Sequence, residues 1–268
     1  MELFSRQMGV GKREVIIVHG LYGASDNWLS IASGLEDKFK IIIPDQRNHG
    51  KSPHSKEHNY TLLAEDLYQL IKTKTSGKVI LIGHSMGGKS VMRLALKYPE
   101  VVEHLVIVDI APKNYGRTSN FGEEPTNHEG IIKAMQDLEL DKMESRKEIE
   151  EQWKSQFPSR QLRQFLLKNV KRTSKGKFKW QLNLDALAEN LSEIMDGFSD
   201  LENFTPFKAA PVLVIRGENS SYFRNEDNMA LNKFFPQAQV VTIPNAGHWV
   251  HAEQQDLFLK TLLYFLED

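Results

Sequence analysis

The sequence predicts an α/β protein with a mostly parallel sheet, because short runs rich in Val and Ile alternate with segments of helical periodicity. Apolar residues in these runs mostly follow one another directly rather than alternating with polar ones, which is typical of strands buried on both faces. The predicted strands are Val15 to Val18, Phe39 to Ile43, Val79 to Ile82, Leu105 to Val108, Ala210 to Ile215 and Gln239 to Ile243. The helices predicted to flank this sheet are Thr61 to Thr73, Gly88 to Lys97, Asn228 to Phe235 and Gln255 to Leu266.

A long insertion interrupts this alternation after Pro112. The intervening stretch is dominated by Glu, Lys, Gln, Leu and Met and lacks Val/Ile runs, so it predicts helices. We therefore expect a core formed by residues 1–112 and 205–268 and a helical cap insertion over residues 113–204. The helices predicted in the insertion are Gly130 to Leu138, Lys142 to Gln156, Arg160 to Lys171 and Leu184 to Ile194.

Composition narrows the class of protein. The 268 residues include 34 basic and 35 acidic side chains, a formal net charge of −1, which predicts no attraction to nucleic acid or anionic membranes. The chain has no cysteine, so disulfides and a thiolate nucleophile are excluded. Its start lacks a signal-peptide pattern, and no apolar run approaches the ~20 residues of a membrane span. We predict a cytoplasmic protein without a membrane span; the sequence leaves its oligomeric state open.

A nucleophile motif lies between the predicted strand ending at Ile82 and the helix that follows. Gly83, Ser85 and Gly87 form the pattern G-x-S-x-G in this strand-to-helix context. The glycines leave room for a sharp turn, and the helix N-terminus favours a developing oxyanion. We therefore predict that Ser85 is a catalytic nucleophile.

A serine nucleophile needs a base, and His248 is the candidate. It follows the last predicted strand on a loop of small residues, at the carboxyl end of the sheet where open α/β proteins build their sites. We expect His251, three residues further on, to flank the final helix and pack against it.

The acid that orients the base is less directly indicated. Its commonest place is three residues beyond Gly217, but Ser220 stands there. Asp109 directly follows the apolar strand Leu105 to Val108, where burying a carboxylate is costly unless it accepts hydrogen bonds. We predict that Asp109 is the acid, with Glu218 and Asp185 as alternatives.

Two backbone amides are predicted to bind the oxyanion. Met86 directly follows the nucleophile and supplies one N–H. The loop after the first predicted strand begins His19-Gly20, and the amide of the next residue, Leu21, is the predicted second donor.

A phosphate-binding loop is the alternative from another enzyme class. Gly83 and Gly88-Lys89-Ser90 match G-x-x-x-x-G-K-[ST] formally. This interpretation as an NTPase gives no role to His19-Gly20 or to His248, whereas the hydrolase interpretation uses both.

Several segments together resemble the α/β-hydrolase family. His19-Gly20 is similar to its oxyanion loop, and Asp45 to Ser52 to its D-x-R-x-x-G-x-S turn. The strings His84 to Lys89, Val108 to Pro112 and Ala246 to Glu253 resemble the YbfF group of bacterial esterases. The resemblance covers nearly the whole chain and is weakest in the insertion.

The resemblance implies the α/β-hydrolase fold, with a central, mostly parallel sheet flanked by helices and a helical cap inserted after the sixth strand. It implies hydrolysis of carboxylic esters, or of acyl-thioesters such as acyl-coenzyme A, without a metal or organic cofactor. The group also has an empty acid position after the late strand, which favours Asp109.

These observations predict a serine hydrolase acting on a small-molecule acyl ester or thioester through Ser85, His248 and Asp109. The alternatives are a cofactor-free C–C hydrolase or lyase on the same fold, and a non-catalytic ligand-binding protein. Apolar residues of the cap could line an acyl pocket, although we expect most to form cap core: Phe121, Met135, Phe157, Phe165, Trp180 and Phe198. A basic cluster is interpreted as solvated surface or as a site that attracts anionic groups such as coenzyme A phosphates: Lys168, Lys171, Arg172, Lys175, Lys177 and Lys179.

Overall fold

A seven-stranded sheet organises the chain. The computed structural model describes residues 1–116, 118–121, 124–200 and 204–267, the side chains of 118–126 excepted. Its strands are β1 (Ser5–Met8), β2 (Arg13–Val18), β3 (Phe39–Pro44), β4 (Val79–His84), β5 (Val102–Val108), β10 (Val212–Gly217) and β11 (Gln239–Ile243). The sheet order is β1-β3-β2-β4-β5-β10-β11; β1 pairs antiparallel with β3, and the other neighbours are parallel.

Helices pack on both faces of this sheet, as predicted, and two apolar layers fill the space between. Successive strand residues alternate between the two layers. Ile16 packs on the side of α2 (Tyr60–Lys74) and α3 (Met86–Lys97), whereas Ile17 packs on the side of α1 (Leu29–Ser33) and α11 (Gln255–Glu267). This explains why the runs read as continuously apolar. The core helices are α1 (Leu29–Ser33), α2 (Tyr60–Lys74), α3 (Met86–Lys97), α9 (Asn228–Phe234), α10 (Val250–Glu253) and α11 (Gln255–Glu267).

The insertion between β5 and β10 contains helices and two short hairpins. Five strands precede it, so the expectation of a sixth strand before the cap is wrong. The predicted helix over Arg160 to Lys171 ends at Leu167, because Val170 and the next two residues pair with Phe178–Trp180. Its elements are β6 (Thr118–Phe121), β7 (Glu124–Asn127), α4 (His128–Gln136), α5 (Arg146–Trp153), α6 (Arg160–Leu167), β8 (Val170–Arg172), β9 (Phe178–Trp180), α7 (Leu184–Glu189) and α8 (Leu191–Met195).

Among the helices that the structure describes, none combines the length and apolar character needed to cross a membrane.

Candidate active site

Ser85 lies on a strained turn between β4 and α3. Its φ of +54° is in the left-handed region, which a non-glycine residue adopts at a cost. The turn is held by the Ser85 N–H, which donates to the Val108 carbonyl at 3.0 Å. A Cβ on Gly83 would lie 2.3 Å from the Gly87 carbonyl oxygen, and one on Gly87 would lie 2.4 Å from the His19 carbonyl oxygen. Only glycine at these two positions allows the strand, turn and helix to pack this closely.

Asp109 and His248, the predicted acid and base, form a buried hydrogen-bonded pair. Asp109 directly follows β5, and its N–H donates to the Ile215 carbonyl at 2.9 Å, which fixes it beside β10. Its Oδ1 accepts from the Gly217 N–H at 3.1 Å, and its Oδ2 accepts from the Ser220 hydroxyl. The same Oδ2 lies 2.7 Å from His248 Nδ1. The structure thus brings the predicted acid to the predicted base.

Burial sets the charge state of this pair. Burial raises the pKa of Asp109 to about 8, although the hydrogen bonds from Ser220 and Gly217 favour its charged form. Burial also lowers the pKa of His248, so its imidazole is neutral in the resting site. When Asp109 is ionised it can only accept hydrogen bonds, so Nδ1 then carries the imidazole proton and Nε2 keeps a lone pair that can take the serine proton.

The alternative acids have other partners. The Glu218 carboxylate accepts from the Asn245 N–H at 3.0 Å, and the Asp185 carboxylate accepts from the Gln136 side-chain amide at 2.8 Å. His251 lies on α10 and stacks on Trp28, with ring centroids 4.0 Å apart. Of the three predicted acids, Asp109 is the one that the structure bonds to His248.

The predicted oxyanion loop lies against the nucleophile. A Cβ on Gly20 would be 3.1 Å from Ser85 Cβ, so this loop passes directly over the turn. His19 holds it in place: His19 Nδ1 donates to the Gly20 carbonyl at 2.8 Å, and His19 Nε2 accepts from the Gln46 N–H at 2.9 Å. Leu21 follows in this loop, and Met86 begins α3, where its N–H has no partner within the helix.

The D-x-R-x-x-G-x-S turn, Asp45 to Ser52, is bonded to this loop, because the Gln46 side-chain amide donates to the His19 carbonyl at 2.6 Å. Asp45 Oδ1 accepts from the Ser25 N–H at 2.6 Å, and Asp45 Oδ2 accepts from the Lys51 N–H at 2.8 Å. Arg47 forms two charged hydrogen bonds with Asp66, at 2.7 and 2.9 Å.

Two small clefts meet at Ser85. Both include Leu21 and Ser85, and each encloses about 20 Å³. We call the first the histidine cleft; its other lining residues are His19, Gly20, Gly23, Asn27, Trp28, His84, Phe165, His248, Trp249 and His251. We call the second the tyrosine cleft; its other lining residues are Tyr60, Met86, Lys89, Ile110, Tyr115, His128, Ile194, Met195 and Tyr222.

Most of the predicted acyl-pocket residues that the structure describes pack in the cap, as expected. Met135 is buried, and Phe157 packs edge-on against Trp153 with ring centroids 5.8 Å apart. Trp180 stacks on the same Trp153, also with centroids 5.8 Å apart. Phe165 does line a cleft at Ser85, but on the histidine side. Phe198 packs edge-on against Tyr60. The side chain of Phe121 lies outside the described residues.

The formal phosphate-loop match does not form a phosphate loop. Gly83 belongs to β4 and Gly88 lies inside α3, so the segment has no wrapped loop between strand and helix. Ser90 donates its hydroxyl to the Gln46 side-chain oxygen at 2.9 Å. The NTPase interpretation is therefore wrong.

Sequence reasoning missed the role of Lys89. Its ammonium is buried and donates to the Lys113 and Met195 carbonyls at 3.0 and 3.3 Å and to the Asp196 carbonyl. Burial lowers the pKa of Lys89 to about 7. Because Lys113 begins the insertion and the other two residues lie near its end, Lys89 ties both ends to α3.

The role of Ser220 was also missed, although its position carried a signal. The Ser220 hydroxyl stands where a carboxylate is expected after the late strand. It donates to Asp109, which is the predicted acid in place of that carboxylate.

Matches to known proteins identify the family of this chain. A family model described as alpha/beta hydrolase fold matches residues 14–255, and the chain therefore belongs to the α/β-hydrolase family.

Several of its relatives in this family are named as esterases or lipases. The chain is 37% identical to the sn-1-specific diacylglycerol lipase ABHD11 of Mus musculus, over 94% of this chain and 80% of the relative. It is 32% identical to the esterase YbfF of Escherichia coli, over 95% of this chain and 93% of the relative. A solved structure named marine microorganism esterase matches with a TM-score of 0.92 and 40% identity, covering 98% of this chain and 99% of that one. The protein is thus an ester-hydrolysing enzyme of the carboxylesterase type.

Proposed function

We propose that the protein hydrolyses acyl esters by a double displacement on Ser85. The Ser85 hydroxyl attacks the ester carbonyl while His248 Nε2 takes its proton, and the resulting imidazolium protonates the leaving alcohol. A water molecule then attacks the acyl-enzyme while the same nitrogen takes its proton; the Ser85–acyl bond breaks, the acid is released and that proton returns to Ser85. The N–H groups of Leu21 and Met86 bind the oxyanion in both tetrahedral intermediates.

The single observation that supports this function best is the 2.7 Å contact between His248 Nδ1 and Asp109 Oδ2. It fixes the imidazole ring and its tautomer, since Asp109 is itself held by Gly217 and Ser220. An ionised Asp109 would also stabilise the imidazolium that forms in the transition state. A serine without this arrangement is a weak nucleophile near neutral pH.

The two clefts divide the substrate between them. His248 lines the histidine cleft, and the leaving group must lie beside it to receive its proton. The acyl group is then left to the tyrosine cleft, which Ser85 also lines.

The size of the tyrosine cleft favours short acyl groups. It encloses about 20 Å³, which is room for about one water molecule. Lining residues such as Tyr60, Ile194 and Met195 are buried, so the cleft has little room to widen around a longer chain. We therefore propose acetyl and similarly short esters as the preferred substrates, with the corresponding thioesters as a second class.

The basic cluster supports the thioester class. Lys168 directly follows α6, the other members lie on the β8–β9 hairpin, and the charge of Lys168 acts on His251, which lines the histidine cleft. An anionic leaving group such as a coenzyme A thiol would meet these positive charges on its way out.

Hydrolysis rates for a matched set of substrates test this function. We expect the p-nitrophenyl ester rates to fall from acetate to butyrate to octanoate, and acetyl-coenzyme A to be cleaved with a KM that rises with salt. Ser85→Ala should abolish all of these activities. Ester hydrolysis that survives in Ser85→Ala would overturn the proposed nucleophile, and a preference for octanoate would overturn the short-acyl assignment.

A further inference from the structure

The ring of Tyr222 lies flat on the imidazole of His248. Their centroids are 3.8 Å apart and the planes are inclined by 19°. Both residues are buried, with 4% and 5% of their surface exposed. Asp109 meets the edge of the same imidazole through Nδ1, so His248 has a carboxylate at its edge and an aromatic ring on its face.

Three hydrogen bonds hold Tyr222 in this position. Its N–H donates to the Ser220 hydroxyl oxygen at 3.1 Å, and its carbonyl accepts from the Tyr115 hydroxyl at 2.5 Å. Its own hydroxyl is hydrogen-bonded to His128 Nε2 at 3.2 Å. His128 is the first residue of α4 in the insertion, so the insertion helps to hold the ring that covers the base.

The face of an aromatic ring carries partial negative charge, which attracts a cation placed over it. In the resting site His248 is neutral, because burial lowers its pKa, and this attraction is small. When His248 takes the serine proton it becomes a cation against the Tyr222 ring. The attraction therefore grows as the reaction proceeds, which is the property that lowers a barrier.

We propose that Tyr222 is a positioning residue for ester hydrolysis, which holds His248 against Asp109 and stabilises the imidazolium through its ring face. This inference rests on the proposed function, since it requires His248 to be the base. Tyr222 also lines the tyrosine cleft, but the stabilisation acts through His248 and not through the acyl group.

A graded series of ring substitutions tests this proposal. Tyr222 is replaced by Phe and, through an engineered tRNA, by phenylalanine carrying one, two or three ring fluorines. Each fluorine withdraws charge from the ring face while nearly preserving the size of the ring. We expect kcat for p-nitrophenyl acetate to fall stepwise by about tenfold in total, as for a largely desolvated cation–π contact. KM and the melting temperature should stay constant through the series.

Tyr68 provides the matched control, because it stacks on Tyr98 with centroids 3.8 Å apart, in a pair of two tyrosines. The same substitutions at Tyr68 should leave kcat unchanged. A flat kcat series at Tyr222 would overturn the proposed charge stabilisation, and so would a fall in kcat that tracks the melting temperature. Loss of the proposed function itself would show separately, as undiminished hydrolysis in Ser85→Ala.

Discussion

Replacing Asp109 by Asn tests the orientation of the base. Asp109 uses Oδ1 for the Gly217 N–H and Oδ2 for both the Ser220 hydroxyl and His248 Nδ1. If the Asn oxygen keeps the Gly217 bond, its NH₂ group faces His248 Nδ1 and can only donate. The imidazole must then accept on Nδ1 and carry its proton on Nε2, where it cannot take the proton of Ser85.

The expected cost follows from this change of tautomer. An equivalent Asp-to-Asn change in a serine protease triad lowers kcat about ten-thousand-fold, which corresponds to about 5.5 kcal/mol of activation free energy. We expect kcat for p-nitrophenyl acetate to fall by roughly a thousandfold or more in Asp109→Asn at pH 7.5. Stopped assays with high enzyme concentration measure this range, and circular dichroism confirms that the variant is folded.

Two variants serve as controls, since they remove the carboxylates that were alternatives to Asp109. Glu218→Gln and Asp185→Asn should retain kcat within about twofold, because surface substitutions of this kind act weakly. An Asp109→Asn variant that is folded and retains more than a tenth of the wild-type kcat would refute the proposed role. A large loss in Glu218→Gln would point to that carboxylate instead.

Three further predictions concern the surroundings of this pair. Ser220→Ala removes a hydrogen-bond donor to Asp109 and should lower kcat by about tenfold, as expected for one hydrogen bond to a charged group. Ser220→Thr keeps the hydroxyl and should recover most of the activity. Equal losses of kcat in the two variants would contradict a role for this hydrogen bond. Gly87→Ala should destabilise the protein by about 2 kcal/mol or more in urea unfolding, because its Cβ would lie 2.4 Å from two carbonyl oxygens, whereas Gly77→Ala, with nothing within 4 Å, should be neutral. The free energy of unfolding should fall as the pH drops from 6.5 to 5, because burial keeps the pKa of several histidines below the unfolded value of 6.5 and only the unfolded chain then binds protons. Each of these histidines contributes up to about 1.4 kcal/mol per pH unit. They are His19, His49, His58, His84, His128 and His251; the pKa of His248 is also lowered, but that of its partner Asp109 is raised. Equal urea midpoints at pH 7.5 and 5.5 would contradict this prediction.

The sheet was predictable because burial on both faces leaves a strong signal. The predicted run Val79 to Ile82 lies inside β4, whose residues are all buried, and the predicted run Val15 to Val18 lies inside β2. In contrast, β1 was missed because Ser5–Met8 is a mixed edge strand with little apolar character. The β8–β9 hairpin was also missed, since three-residue strands rich in Lys and Arg carry no periodic pattern.

The candidate site divides in the same way. Ser85 and His248 lie in local motifs, and Asp109 is conspicuous as a carboxylate that closes an apolar strand. Tyr222 and His128 have no such signal. They come together because a loop after β10 and the first turn of α4 meet over the imidazole, a contact 94 residues apart in the chain that depends on how the insertion packs.

Mapping the covalent adduct of a fluorophosphonate tests the central claim most directly. The reagent reacts with serines whose hydroxyl is activated by a neighbouring base, and peptide mass spectrometry locates the modified residue. We predict a single adduct on Ser85, formed at a rate that falls strongly in Asp109→Asn and stays unchanged in Glu218→Gln. An adduct on another residue, or no adduct in enzyme that hydrolyses p-nitrophenyl acetate, would contradict catalysis by Ser85, His248 and Asp109.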